Sequence, residues 1–145
     1  MCEMLPVTED QNYSFLPSSF KEHVPFYEIL VHREFKEKVL TSIDGRWMWY
    51  EFRLDGESLP VLIYQTRESV ALVSQYAIEE TSALVASLCI SFMVFNRMMW
   101  EFQENGLSDW EAFEKFFFLL KQWVFSENNS YLSLKDKRVI CSFID

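Results

Sequence analysis

The chain has 145 residues, half of them hydrophobic and 17% aromatic, with a formal net charge of −9. That length suits one domain able to close a core without disulfides or metal, and the apolar content excludes an intrinsically disordered chain. The negative charge repels phosphate backbones and anionic headgroups, so it argues against direct binding of nucleic acid or a membrane and for a protein partner with a basic surface.

Residues 1 to 18 mix acids, prolines and scattered apolar side chains, which predicts an N-terminal arm anchored by Phe15 and Leu16 around Pro17. A single α+β domain is expected over 19–145. The opening "MCEMLPVTED" carries acids where an export signal needs a basic start and an apolar run. From Pro25, "PFYEILVHREFKEKVL" spaces Phe26, Ile29, Leu30, Val39 and Leu40 for a helix, with Glu34 and Lys38 placed to pair at i,i+4.

Next comes "IDGRWMWYEFRLDG". On a strand Trp47 and Trp49 point one way and Met48, Tyr50 and Phe52 the other, so both faces are apolar. Stacked aromatics can hold bases or peptides, but two apolar faces fit better with a sheet packed by helices. Asp55-Gly56 predicts a hairpin turn and "LPVLIYQ" the returning strand, with Pro60 near its start or on an edge. "SVALVSQ" is expected as a third strand of an antiparallel meander.

"IEETSALVASLCISFMVFNRMMWEFQ" then predicts a central buried helix with Glu79 and Glu80 in its first turn. Its most apolar part, about fourteen residues before Asn96-Arg97, is shorter than the roughly twenty that span a bilayer. Asn105-Gly106 should stop it, and Ser108-Asp109-Trp110-Glu111 has the form of a capping box opening "DWEAFEKFFFLLKQWVF", the other arm of a helix hairpin. Trp100, Trp110, Phe113, Phe116, Phe117, Phe118 and Trp123 are expected to face the aromatic strand. Ser133 and Asp136 can cap a last short helix with Val139, Ile140, Phe143 and Ile144 on one face. The predicted class is α+β: an antiparallel three- to four-stranded meander packed by a helix hairpin and additional helices.

Little here carries reaction chemistry. Cys2, Cys89 and Cys141 are dispersed and odd in number, which suits a reducing cytoplasm and offers no zinc pattern. His23 and His32 fall in no ligand motif, and three glycines supply no phosphate-cradling loop. No cofactor and no metal are expected. An enzyme would need a pocket bringing Cys89 or a histidine beside a carboxylate with a shifted pKa, and a thiol in an apolar helix is usually inert. Glu51 has Arg53 as one available charge partner. The distinctive feature is Glu101, Glu104, Asp109, Glu111 and Glu114, a run without Lys or Arg. It reads either as a solvated hairpin tip or as the contact surface for a basic partner.

The order of these features resembles the ArdB/KlcA antirestriction family, small cytoplasmic proteins of plasmids and phages. Asp44-Gly45-Arg46-Trp47-Met48-Trp49-Tyr50-Glu51-Phe52 is similar to its glycine- and aromatic-rich strand. "EETSALVASLCISFMVF" and "FFFLLKQWV" are similar to its small-residue helix and a later helix, and the chain closes on Ile144-Asp145 as members close on Ile-Asp. Asp44 stands where the family has glycine, Asp55-Gly56 is all that matches its Asn-Gly-Gly segment, and its His-Pro-Glu is absent. The resemblance implies an α+β fold with an antiparallel sheet, no enzymatic activity, and inhibition of type I restriction or a related DNA-targeting defence complex. Composition alone accommodates a second class equally well, an acidic immunity or antitoxin protein that neutralises a basic toxin. Apolar surface left over on the aromatic sheet would allow a homodimer.

Overall fold

The computed structural model describes residues 2–8, 20–40, 44–75 and 77–144. Their elements run β1 (Cys2–Pro6), a 3-10 turn (Lys21–His23), α1 (Val24–Lys38), β2 (Arg46–Leu54), β3 (Glu57–Gln65), β4 (Val70–Val73), β5 (Ile78–Thr81), α2 (Ala83–Glu104), α3 (Trp110–Phe125) and α4 (Leu134–Ile144). The class is α+β with antiparallel strands packed by a helix hairpin, as expected; strand membership is where the details differ.

Asp55 and Gly56 both take positive φ, 49° and 85°, the conformation of a type I′ turn that joins β2 to β3 in register from Leu54↔Glu57 to Arg46↔Gln65. β1 pairs with the other side of β2, from Cys2↔Leu54 to Pro6↔Tyr50, so the aromatic strand is central in a sheet ordered β1-β2-β3. β1 lies in the segment read as an arm, and the expected anchors Phe15, Leu16 and Pro17 lie outside the described residues.

β4 does not continue this sheet. Beyond β3 the edge is covered by α2: the Tyr64 N–H donates to Ser87 Oγ at 2.9 Å, and that hydroxyl donates to the Ala83 carbonyl at 2.7 Å. β4 instead pairs with β5 in a separate two-stranded sheet, tied to the end of α1 through the Val39↔Leu72 bridge. β5 also corrects the expected helix start. Glu79 and Glu80 lie on this strand, because Ser82 takes the N-cap and accepts the Val85 N–H at 3.2 Å, so α2 begins at Ala83.

α2 is the central helix, with thirteen of its 22 residues buried. By length and composition it could also cross a membrane, but 67% of its most apolar window is buried inside the fold. It ends in a Schellman motif: Gly106 at φ 71° lets the Leu107 N–H reach the Phe102 carbonyl at 2.9 Å and the Gly106 N–H reach Gln103 at 3.1 Å.

The two faces of β2 meet different helices. Trp47 packs on Phe35 and His32 of α1, and Trp49 on Tyr27 and on Phe20 before it. Phe52, from the opposite face, packs on Trp123 of α3 with ring centroids 4.3 Å apart. The Trp123 indole N–H in turn donates to the Glu3 carbonyl, fastening α3 to β1. Trp49 and Phe52 of this strand are therefore buried, with Trp47 and Tyr50 half-buried against the core, and Phe113, Phe116 and Trp123 are buried as expected. Trp100 and Phe118 are not: they are 54% and 52% exposed. At about 100° per residue, three consecutive Phe at 116–118 cannot all face one core, and the middle of the helix turns Phe118 outward.

Candidate functional site

The hairpin of α2 and α3 brings the expected acidic residues to one end of the molecule, around the turn at 105–109. Geometry divides them. Glu101 accepts from Arg97 Nε at 3.0 Å across one turn of α2. The Asp109 carboxylate meets His23 Nε2 at 2.7 Å, joining the start of α3 to the turn ahead of α1. Glu104 and Glu111 are exposed and Glu114 is half-buried, and among the described residues these three have no ion-pair partner.

The expected capping box does not form, because the N-cap falls one residue after Ser108. Asp109 is the N-cap of α3, yet its side chain makes no cap hydrogen bond, because the carboxylate is turned to the imidazole. His23 is held further by the Phe102 ring at 4.6 Å. By contrast, Ser133 and Asp136 form the reciprocal cap at the start of α4, with bonds of 3.0 and 3.1 Å.

Arg97 is the residue that sequence reading missed. Besides Glu101 it reaches Glu34 at 3.2 Å, so Glu34 is buried against α2 and does not pair with Lys38 as expected. The guanidinium pKa is raised, chiefly by the Glu101 hydrogen bond, against desolvation and with help from Glu34. A helical position four before Glu101 was the available signal for one half of this bridge; nothing local signalled the other.

Electrostatically, the two helix ends at this tip are unlike. Glu111 lies in the first turn of α3, where the positive end of the helix dipole favours it. Glu101 and Glu104 lie in the last turn of α2, which has no basic residue, where the dipole disfavours acids by about 0.3–1 kcal/mol each at exposed positions. Arg97 relieves Glu101; Glu104 has no such relief.

The candidates for reaction chemistry are scattered. Cys89 is fully buried, and desolvation pushes its thiol pKa far up. His23 sits beside Phe102, thirteen residues and so about 20 Å along the same helix. His32 is exposed against Trp47. Glu22, His23 and Asp109 place three potential ligand atoms within 4.8 Å of one another. Two of those atoms are already hydrogen-bonded together, and the Glu22 side chain is 83% exposed. Glu51 pairs with Arg53 at 2.6 Å on the sheet surface, and a groove of about 220 Å³ lined by Phe92, Met93, Asn96, Phe117, Phe143 and Ile144 holds no titratable side chain.

No protein-family model matches the sequence, and no curated protein matches it. Among solved structures, this fold matches that of the KlcA and ArdB proteins with a TM-score of 0.79 at 16% identity, over 99% of this chain and 95% of the other. Those proteins are described as having a novel fold and antirestriction activity against type I DNA restriction systems in vivo but not in vitro. The present chain therefore has the ArdB/KlcA fold.

Proposed function

We propose that this chain is a non-enzymatic antirestriction protein of a phage, plasmid or other mobile element. It acts in the bacterial cytoplasm on a type I restriction-modification complex or a related DNA-targeting defence complex, through protein contacts. The observation that supports this reading is the match to the KlcA and ArdB fold over 99% of this chain and 95% of the other.

The contact surface in this reading is the acidic end of the helix hairpin: Glu101, Glu104, Asp109, Glu111 and Glu114. Two facts support it. The run holds no cation of its own, and Glu104 persists at a helix terminus where its charge costs stability. A basic surface on a partner would satisfy both, speeding encounter at low salt and weakening as salt rises. Glu101 and Asp109 also serve the fold through Arg97 and His23, so Glu104 and Glu111 are the clean positions at which to probe the contact.

The test is the plating efficiency of unmodified phage on a host with an active type I system, with and without the chain expressed. The expected result is plating restored toward the level of a non-restricting host. It should fall back when Glu104→Lys and Glu111→Lys are combined, with the variant accumulating to the same level. No relief by the natural chain sinks the antirestriction reading; undiminished relief by the variant removes this surface.

A further inference from the structure

The helix hairpin leaves one stripe of α3 along its outer edge, with Phe117 at the rim, where its ring also packs on Phe92 of α2 at 5.4 Å. At 100° per residue, Glu114, Phe117, Phe118 and Lys121 fall within an arc of about 100°. Phe118 and Lys121 are exposed, and Glu114 and Phe117 are half-buried. Neither charge is used inside the molecule. They are seven residues apart, about 10 Å along the helix and too far to pair with each other. Lys115, the nearest base to Glu114 in sequence, is turned to Glu57 at 3.4 Å.

The order along the stripe, Glu-x-x-Phe-Phe-x-x-Lys, is self-complementary. A two-fold axis demands that one patch recognise itself, residue i meeting j while j meets i. Laid antiparallel on the same stripe of a second copy, with the axis between positions 117 and 118, Phe117 meets the second copy's Phe118. Glu114 then meets the second copy's Lys121, and both contacts occur twice. Apolar surface continues beside the stripe: Phe117 is shared with the groove that Phe92, Met93 and Phe143 line, and Trp100 lies one turn of α2 beyond Asn96, toward the tip.

We propose that the chain forms a symmetric homodimer in which α3 packs antiparallel on α3 of a second copy, with Phe117 and Phe118 at the axis and Glu114–Lys121 ion pairs on either side. The net charge of −9 on each copy opposes association, but repulsion between distant exposed charges is screened beyond about 8 Å at physiological salt, and the stripe itself is neutral. The dimer does not depend on the antirestriction reading. It assigns Glu114 to self-association and leaves Glu104 and Glu111 at the open tip.

The experiment is sedimentation equilibrium of the whole chain from about 1 to 100 μM, the range in which a contact of modest size dissociates. The expected result is a dimer for the natural chain. Glu114→Lys and Lys121→Glu, each placing two like-charge pairs across the axis, should weaken it by on the order of tenfold or more. The combination of both substitutions should restore it. Phe118→Ser should dissociate it, with circular dichroism unchanged in every variant. A natural chain that stays monomeric at the highest concentration overturns the proposal. So does a dimer indifferent to the single reversals, or one the double reversal does not rescue.

Discussion

Removing Arg97 tests whether the hairpin is locked to the first helix by charge. The guanidinium spans Glu34 of α1 and Glu101 of α2, at 3.2 and 3.0 Å. Glu34 is only 7% exposed, so Arg97→Met strands a carboxylate in the interior. Breaking a fully buried pair from one side costs about 3–5 kcal/mol, whereas an exposed helical i,i+4 pair is worth about 0.3–0.5. The Arg97 side chain is 41% exposed, so water reaches the vacated space, and we expect a loss of about 2 kcal/mol in all. In urea that lowers the unfolding midpoint by about 1 M at a slope of about 2 kcal/mol per M. The second arm is Glu34→Met on the same background, which removes the stranded charge and should recover most of the loss, since a buried ion pair replaced by apolar groups of similar volume is close to neutral. An unchanged midpoint for Arg97→Met, or a further fall when Glu34 is also replaced, would refute the reasoning.

Asn129 is 6% exposed and ties the loop after α3 by donating to the Trp123 carbonyl at 2.8 Å and accepting from the Tyr131 N–H at 2.9 Å. Asn129→Ala should cost about 2 kcal/mol in thermal or urea unfolding, and Asn129→Asp more, because it faces a carboxylate to a carbonyl; an Asp variant as stable as the natural chain would contradict this. At alkaline pH, burial holds the Tyr27 phenol and the Cys89 thiol above their ordinary values of 10.0 and 9.0, so both stay protonated in the fold after the unfolded chain has released those protons. Their contribution is complete below the unfolded values and is lost progressively as pH rises from those values toward the raised folded ones, at about 1.4 kcal/mol per pH unit per group; Tyr27→Phe should reduce the slope of stability against pH above 10, and an identical slope would argue against a buried phenol.

What was legible in the sequence is what neighbouring residues decide. The Asp55-Gly56 turn, the Asn105-Gly106 stop and the Ser133–Asp136 cap each need only a few consecutive positions, and each is where the reading put it. The double-faced aromatics of β2 likewise announced a sheet covered on two sides. What was not legible depends on a partner far along the chain. Cys-Glu-Met-Leu-Pro looks like an arm until Tyr50–Leu54 is beside it. Ile78–Thr81 carries acids suited to a helix start, yet it pairs with Val70–Val73 because α2 already covers the edge of β3. A helical period alone would have turned Phe118 outward; reading the run as uniformly inward missed that.

The same distinction governs the candidate site. Five acids without a nearby base were visible as a run, but sequence treats them as equivalent, and the fold does not. His23, 86 residues from Asp109, makes that carboxylate a strut between α3 and the turn ahead of α1, and Arg97 holds Glu101 within α2 while its other arm reaches Glu34 of α1. Reversing either charge therefore disturbs folding and contact together, and activity lost in such a variant would say little about binding. Glu104 is the opposite case: exposed, without an ion-pair partner among the described residues, and set against the helix dipole. Replacing it should leave stability unchanged or slightly raised. If Glu104→Lys stabilises the fold while reducing protection from restriction, the two effects have opposite signs at one residue, and a structural role cannot account for the loss.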